Sequence, residues 1–127
     1  MALTTAERSA RYVATHREQV RAQARIYVRA RAEHFYANRI QRDFGLTIEQ
    51  YNAMLAAQGG TCAICHQVET ASYQGTILRL AVDHDPDTGM VRGLLCRLHN
   101  QGIGQFAHDP DMLREAAAYL ERSTPRA

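Results

Sequence analysis

The spacing of the apolar residues changes along this chain, from a helical repeat in its first part to short alternating runs later. Residues 5–44 contain no glycine or proline and are rich in alanine, arginine, glutamine and glutamate, which favour helix. Val13, Val20 and Tyr27 recur every seven residues, as on one face of a helix. One helix over this stretch would be about 55–60 Å long. A pattern of that length without internal caps predicts a helix pair, a kinked helix or a coiled-coil arm.

The next part of the chain begins with a short helix and continues as a mixture of strands and helices. Thr47 and Gln50 have the spacing of a capping box, which predicts the start of a helix. Gly59–Gly60 predicts the end of that helix. The pattern then predicts a variable loop over residues 67–77 and a strand over residues 77–84. A turn over residues 85–89, a second strand over residues 90–95 and a helix over residues 96–106 are predicted to follow.

A final helix is predicted after Asp109, a favourable N-cap that is followed by Pro110. Met112, Ala116 and Leu120 are expected to form its buried stripe. Helices that flank a pair of short antiparallel strands predict an α+β fold.

Two pairs of candidate metal ligands lie in this second part of the chain. Cys62 and Cys65 form one pair, and Cys96 and His99, one helical turn apart, form the other. Three cysteines cannot all pair within one chain, so reduced thiolates on a metal are favoured over disulfides. Four sulfur and nitrogen ligands with this spacing are typical of a closed structural zinc site. The alternative is that the cysteines are ordinary buried thiols and that His99 lies at the surface.

The residues beside these pairs indicate more than a structural metal site. Asp83 and His84 lie between the two pairs, and Asn100 directly follows the second. A histidine able to act as a base, flanked by carboxylates and accompanied by an amide, favours a metal-assisted phosphodiesterase. The alternative is a zinc-structured nucleic-acid-binding module without cleavage activity.

The charge of the chain is unevenly distributed. The net charge is only +2, but residues 1–44 hold nine arginines against four acidic residues, a local charge of +5. Arginines recur every four residues there, at Arg17, Arg21, Arg25 and Arg29. They form either a basic ridge that contacts DNA phosphates or a solvated helix face.

Four segments of this sequence resemble the recombination endonuclease VII family, which belongs to the His-Me finger (HNH-type) nucleases. They are residues 44–51, 58–65, 81–85 and 88–96, and the likeness extends over roughly residues 44–122. The resemblance implies a zinc-stapled ββα-metal core with a long N-terminal basic helical arm and a C-terminal helix. It divides the chain into an arm (1–44), a nuclease domain (45–122) and a tail (123–127).

The same resemblance implies a divalent-metal-dependent DNA endonuclease. His84 matches the general base, and Asp83 and Asn100 match the oxygen ligands of a catalytic magnesium or manganese ion. Arg92 either contacts the scissile phosphate or pairs with Asp85. The expected substrate is branched DNA, such as a Holliday junction, or duplex DNA cut with low sequence specificity.

The sequence departs from the family pattern at three places. Pro86 stands where relatives often have a second histidine, His99 replaces a fourth cysteine, and no acidic residue follows Asn100 at residues 101–103. The other histidines are expected to be exposed and non-catalytic, unless His66 or His108 replaces the missing one; they are His16, His34, His66 and His108.

The expected surroundings of the protein follow from the same features. No run approaches the roughly 18 apolar residues of a membrane span, and the N-terminus lacks the pattern of a secretory signal. We therefore expect an intracellular, cytoplasmic protein, in the host cytoplasm if it is virus-encoded. The expected partner is DNA, and a homodimer through the helical arm would suit a nuclease that cuts both strands.

Overall fold

The computed structural model describes residues 2–123, which form five helices and four short strands in an α+β arrangement. The helices are α1 (Thr5–Thr15), α2 (Arg17–Phe44), α3 (Ile48–Ala57), α4 (Arg97–Gln105) and α5 (Pro110–Ser123). The strands are β1 (Ser72–Tyr73), β2 (Thr76–Ile77), β3 (Ala81–His84) and β4 (Val91–Leu95). The α+β class predicted from the sequence is confirmed. The predicted tail, apart from Ser123, lies outside the described residues.

The chain divides into two compact units, Met1–Arg39 and Ile40–Ala127. Among the described residues, no helix combines the length and the apolar character needed to cross a membrane.

The long helical pattern is divided at His16 into two helices, α1 and α2. Thr4 and Glu7 form a capping box at the start of α1. The helix ends where the Thr15 hydroxyl donates to backbone carbonyls of the preceding turn and His16 leaves helical geometry, at φ −117° and ψ 28°. Such local side-chain bonds compete with the helical ladder, so α2 starts anew at Arg17. None of the described residues of the first unit is buried.

The core of the second unit starts with α3. Thr47 and Gln50 form the predicted capping box. Tyr51 is buried, and its hydroxyl donates a 2.8 Å hydrogen bond to the carbonyl of Leu80. Gly59 and Gly60 end the helix with φ of 65° and 73°, a left-handed conformation that favours glycine. The chain reaches Cys62 two residues after this end of the helix.

Two local predictions in the following segment are wrong. The stretch expected to be a loop contains the β1–β2 hairpin, closed by Gln74 and Gly75 at φ 49° and 77°, as in a two-residue hairpin turn. The strand expected over residues 77–84 is interrupted between Ile77 and Ala81. Strand β4 ends at Leu95, which lies opposite Ala81, so the residues before Ala81 have no partner on β4. The Leu80 carbonyl accepts a hydrogen bond from the Tyr51 hydroxyl.

Strands β3 and β4 form an antiparallel pair with a bulge. Asp83 lies opposite Gly93, but His84 lies opposite Val91, so Arg92 has no partner residue on β3. A bulge redirects the side chain of the extra residue. Helix α4 packs against both strands.

The predicted buried stripe of α5 is wrong. Met112 and Leu120 are 53% and 64% exposed, whereas Leu113 and Ala116 are half-buried. The Asp109 cap is confirmed, since its carboxylate accepts from the backbone N–H groups of Asp111 and Met112.

Candidate metal and catalytic site

Four side chains from two distant segments form a cluster. One ligand atom from each of four residues lies within 4.8 Å of the others: Cys62, Cys65, Cys96 and His99. His99 Nδ1 lies 3.0 Å from the Cys96 sulfur and 4.0 Å from the Cys62 sulfur. All three cysteines are free thiols, and three sulfurs with one imidazole are a recognised zinc donor set. The cluster can therefore hold a structural metal such as zinc, as predicted.

The cysteine-containing turn after α3 favours a thiolate. Burial acts to raise the pKa of the Cys62 thiol, but the backbone N–H groups of Cys65, Cys96 and Ile64 together lower it to about 6. Burial raises the pKa of the Cys96 thiol. Metal binding requires thiolates, so the lowered pKa of Cys62 favours the form of this sulfur that binds a metal ion.

Gln58 connects this turn to β4. Its side-chain N–H groups donate to the carbonyls of Thr61 and Leu94 at 2.8 and 2.9 Å, and its oxygen accepts from the Leu94 N–H at 3.0 Å. Gly93 lies close by, where an added Cβ would be 3.4 Å from the Gln58 oxygen. The sequence suggested no role for Gln58, because nothing local marks an amide that bonds to a distant strand.

The predicted catalytic residues lie on β3 and α4. Asp83 is buried at 6% exposure, whereas His84, at the end of β3, is exposed. The ring of His84 lies 5.2 Å from that of Phe44, with the two planes tilted by 52°. Asn100 is half-buried on the first turns of α4, directly after the cluster residue His99. No pattern in the sequence predicts that the Phe44 ring contacts His84.

Arg92 pairs with Asp83. Pairing of Arg92 with Asp85, one of the two alternatives left open by the sequence, is not observed. The Arg92 Nε and Nη2 donate to the two Asp83 oxygens at 2.8 and 2.9 Å. This hydrogen bonding raises the pKa of the Arg92 guanidinium. The Asp85 carboxylate instead accepts from the backbone of Asp87 and Thr88, as a turn residue does. The Arg92 Nη2 also contacts His108 Nδ1 at 2.8 Å, a contact that no local pattern in the sequence predicts.

The donor atoms of Asp83 and Asn100 are of the type that magnesium and manganese prefer, namely carboxylate and amide oxygens. The Arg92 fork takes one acceptor site on each Asp83 oxygen, and a carboxylate offers about four such sites. Asp83 therefore retains capacity for a cation. Among the described residues, the cysteine–histidine cluster is the only group of three or more histidine, cysteine or acidic side chains close enough to share an ion.

The arginines of the predicted ridge all lie on α2 and are all exposed. Arg25 forms a 2.9 Å ion pair with Glu18, and both side chains are mostly exposed. Such a pair is weak in water, so it is readily exchanged for a phosphate.

Comparison with known proteins gives two kinds of match. Residues 37–122 match the family model for recombination endonuclease VII. The Gene 59 proteins of Mycobacterium phages D29 and L5 are 39% and 35% identical to this chain over 110 and 108 residues. These alignments cover 86% and 84% of this chain, and 59% and 58% of the relatives, so the chain spans well under two thirds of their length. No solved structure matches the chain.

Proposed function

The chain belongs to the recombination endonuclease VII family, and on this basis we propose that it is a divalent-metal-dependent DNA endonuclease. The proposed reaction is hydrolysis of a phosphodiester bond with His84 as the general base. The observation that supports it best is the arrangement of β3 and α4. The strand that ends in Asp83 and His84 packs against the helix that carries His99 and Asn100.

We propose that β3, β4 and α4 form the ββα-metal core of a His-Me finger (HNH-type) nuclease. In this assignment residues 45–122 are the nuclease domain and residues 1–44 are a basic helical arm. The antiparallel β3–β4 pair followed directly by α4 supports it.

We further propose that the cysteine–histidine cluster binds structural zinc. The cluster joins the turn after α3 to the first turn of α4. Fixing that turn also fixes Asn100, the residue after His99, so a folding element would help to preorganise the catalytic residues.

In the proposed mechanism the His84 imidazole takes a proton from the attacking water. Its exposure gives water and substrate access to the ring, and the Phe44 ring restricts its orientation. The oxygens of Asp83 and Asn100 would hold a magnesium or manganese ion. That cation would offset the negative charge that builds on the phosphate.

The proposed substrate is branched DNA, such as a Holliday junction, or duplex DNA cut with low sequence specificity. Arg92 is the proposed phosphate contact beside the reaction centre. The proposed phosphate contacts on α2 are Arg17, Arg21, Arg25 and Arg29. We propose that the protein works in the cytoplasm, that of the host if the gene is viral.

We also propose that the helical arm mediates a homodimer. Val13 and Tyr27 are 46% and 66% exposed, and with Val20 they supply an apolar repeat that a second copy would cover. The break at His16 separates Val13 from the other two. Two-strand cleavage needs two sites, which a symmetric dimer supplies. A monomeric mass in solution at high protein concentration would refute the dimer.

Cleavage of a panel of DNA structures tests the proposed function. Plasmid, duplex, flap, mismatch and four-way-junction DNA are incubated with the protein and magnesium or manganese. We expect cutting with either cation, none after chelation, and none by His84→Ala, which still folds and binds DNA. His34→Ala, an exposed histidine on α2, is the control and is expected to cut normally.

The outcomes separate the alternatives. Equal cleavage by wild type and His84→Ala would exclude His84 as the base. A folded protein that binds DNA but cuts none of these substrates would instead be a nucleic-acid-binding module without cleavage activity.

A further inference from the structure

His108 lies in an unusual turn that brings its ring to Arg92. Ala107 and His108 are both left-handed, at φ 52° and 54°, and they close α4 by donating to the carbonyls of Gly104 and Ile103. Two successive non-glycine residues in this conformation are uncommon, and they persist only where the surrounding structure holds them. The half-buried His108 ring lies beside Gly104 and within hydrogen-bonding distance of Arg92.

The chemistry of this contact fixes the state of the histidine ring. A guanidinium carries only donors, so His108 Nδ1 must accept the hydrogen bond from Arg92 Nη2. The ring proton of the neutral imidazole is then on Nε2. His108 therefore acts here as an acceptor that orients the arginine.

Three of the five N–H donors of Arg92 are committed by these contacts. Nε–H and one Nη2–H bind the Asp83 carboxylate, and the other Nη2–H binds His108. Within the part of the chain that the structure describes, none of the hydrogen bonds of Arg92 uses the two N–H groups of Nη1. The side chain is 35% exposed, and the β4 bulge directs it to the face of β3 that carries Asp83.

We propose that His108 is a positioning residue for phosphate binding. Together with Asp83 it clamps the Arg92 guanidinium, so that Nη1 is held ready for a phosphodiester of the bound nucleic acid. Asp83 offsets the positive charge of Arg92, so net charge attraction contributes less to phosphate binding. The direction of the two Nη1 donors therefore contributes more. This inference rests on the proposed function, since that function supplies the phosphodiester ligand.

Three matched variants isolate the contact. His108→Asn keeps an oxygen acceptor near the position of Nδ1, and asparagine tolerates the left-handed backbone. His108→Gly removes the acceptor but also suits that backbone. Ala107→Gly relaxes the same turn and leaves the His108 ring in place.

Two measurements on the zinc-loaded, 127-residue chain are needed. The first is binding of a fluorescein-labelled duplex without magnesium or manganese, followed by fluorescence anisotropy. The second is the NMR signal of the Arg92 Nε–H group, which reports whether the guanidinium is held. We expect His108→Gly to weaken binding by about three- to tenfold and to broaden or remove that signal. His108→Asn is expected to restore both, and Ala107→Gly to behave as wild type.

A double mutant tests whether His108 acts through Arg92. Arg92→Lys keeps a positive partner for the buried Asp83 but has no Nη1 to position. In that background His108→Gly is expected to have no further effect on DNA binding, because the two residues act as one unit. An equal loss in both backgrounds would show that His108 acts by another route and would overturn the inference.

Failure of this inference is distinguishable from failure of the proposed function. If the wild type binds and cuts DNA while His108→Gly matches it in affinity and in the Arg92 signal, the positioning role is wrong and the nuclease assignment stands. If the wild type neither binds nor cuts any DNA tested, the proposed function itself fails, and the phosphate role fails with it.

Discussion

The carboxylate of Glu69 accepts a 2.6 Å hydrogen bond from the backbone N–H of Arg97, which lies 28 positions further along the chain. Arg97 is the first residue of α4, and Cys96 before it provides no side-chain cap. The same carboxylate accepts from the N–H groups of Thr70 and Ala71. Glu69 thus caps α4 from a separate loop, at a helix end where a negative charge is favourable.

Replacing Glu69 by glutamine tests this cap. Burial acts to raise the pKa of the Glu69 carboxyl, but the N–H groups of Ala71, Arg97 and Thr70 lower it below its ordinary value of 4.5. A lowered folded-state pKa stabilises the fold above pH 4.5, and this contribution is lost as the pH falls through the folded-state pKa. We expect Glu69→Gln to reduce the free energy of unfolding by about 1 kcal/mol at pH 7, measured by denaturant titration.

The pH dependence provides the check on that result. The difference between wild type and Glu69→Gln should shrink as the pH falls through the acid range, whereas Glu121→Gln, an exposed change on α5, should show no difference at any pH. If the Glu69→Gln protein were as stable as wild type at pH 7, the charged cap would contribute nothing to the free energy of unfolding.

The two ligand pairs of the metal cluster could be predicted from the sequence because the geometry within each pair is local. The two residues between Cys62 and Cys65 suit a tight turn, and those between Cys96 and His99 suit one turn of helix. The Thr47 capping box was predictable for the same reason, since its partners are three residues apart. Features that depend on a few neighbouring residues leave a pattern in the sequence.

The remainder of the site depends on contacts between residues that are distant in sequence. Glu69, Gln58 and His108 bind partners 28, 36 and 16 positions away, and a polar residue in a loop or helix end has no local pattern to mark such a bond. The interrupted strand before Ala81 has the same origin, because its length depends on where its distant partner β4 ends, at Leu95 opposite Ala81. The sequence shows that these groups are polar, but their partners appear only in the fold.

Loss of one zinc ligand should unfold the second unit. Cys62 is fully buried, and a structural zinc ion contributes on the order of 10 kcal/mol to the folding of small sites. We expect Cys62→Ser to lose the metal and most of its native circular dichroism, and wild type to do the same with a strong chelator and recover when zinc is returned. Metal analysis should find one zinc per wild-type chain. A folded Cys62→Ser protein without zinc would contradict a structural role for the cluster.

The contact between Phe44 and His84 should affect catalysis more than binding. The two ring centroids are 5.2 Å apart, so Phe44 limits the orientations of the proposed base. We expect Phe44→Leu to lower kcat by about five- to fiftyfold, because small errors in the position of a catalytic group are costly. DNA affinity should change little, and Phe44→Tyr should retain most of the activity.

Phe35→Leu is the matched control, since Phe35 is 59% exposed on α2. It should leave kcat unchanged. If Phe44→Leu lowered only DNA affinity and left kcat intact, the ring contact would have no part in positioning His84.

The exposed arginines of α2 should contribute to the salt dependence of DNA binding. A DNA contact and a solvated helix face differ in this measurement, because each phosphate contact releases a condensed counterion from DNA. Arg21 and Arg29 lie eight residues apart on the same helix, and both are exposed. They are the best pair to substitute, because Arg25 between them has Glu18 as a partner.

The control pair on another helix is Arg114 and Arg122 of α5, which are also exposed. Arg114 forms a 2.6 Å ion pair with Asp111, but both side chains are mostly exposed, and such a pair is weak in water. Replacing Arg21 and Arg29 together by glutamine should make the slope of log K against log salt about 1.8 less steep, which corresponds to two lost phosphate contacts. The same double change on α5 removes an equal charge and should leave the slope nearly unchanged. Because net charge is matched, a difference between the two variants reports contact and not general attraction. Equal slopes for the two variants would mean that the α2 arginines only solvate the helix, and that DNA is bound elsewhere on the molecule.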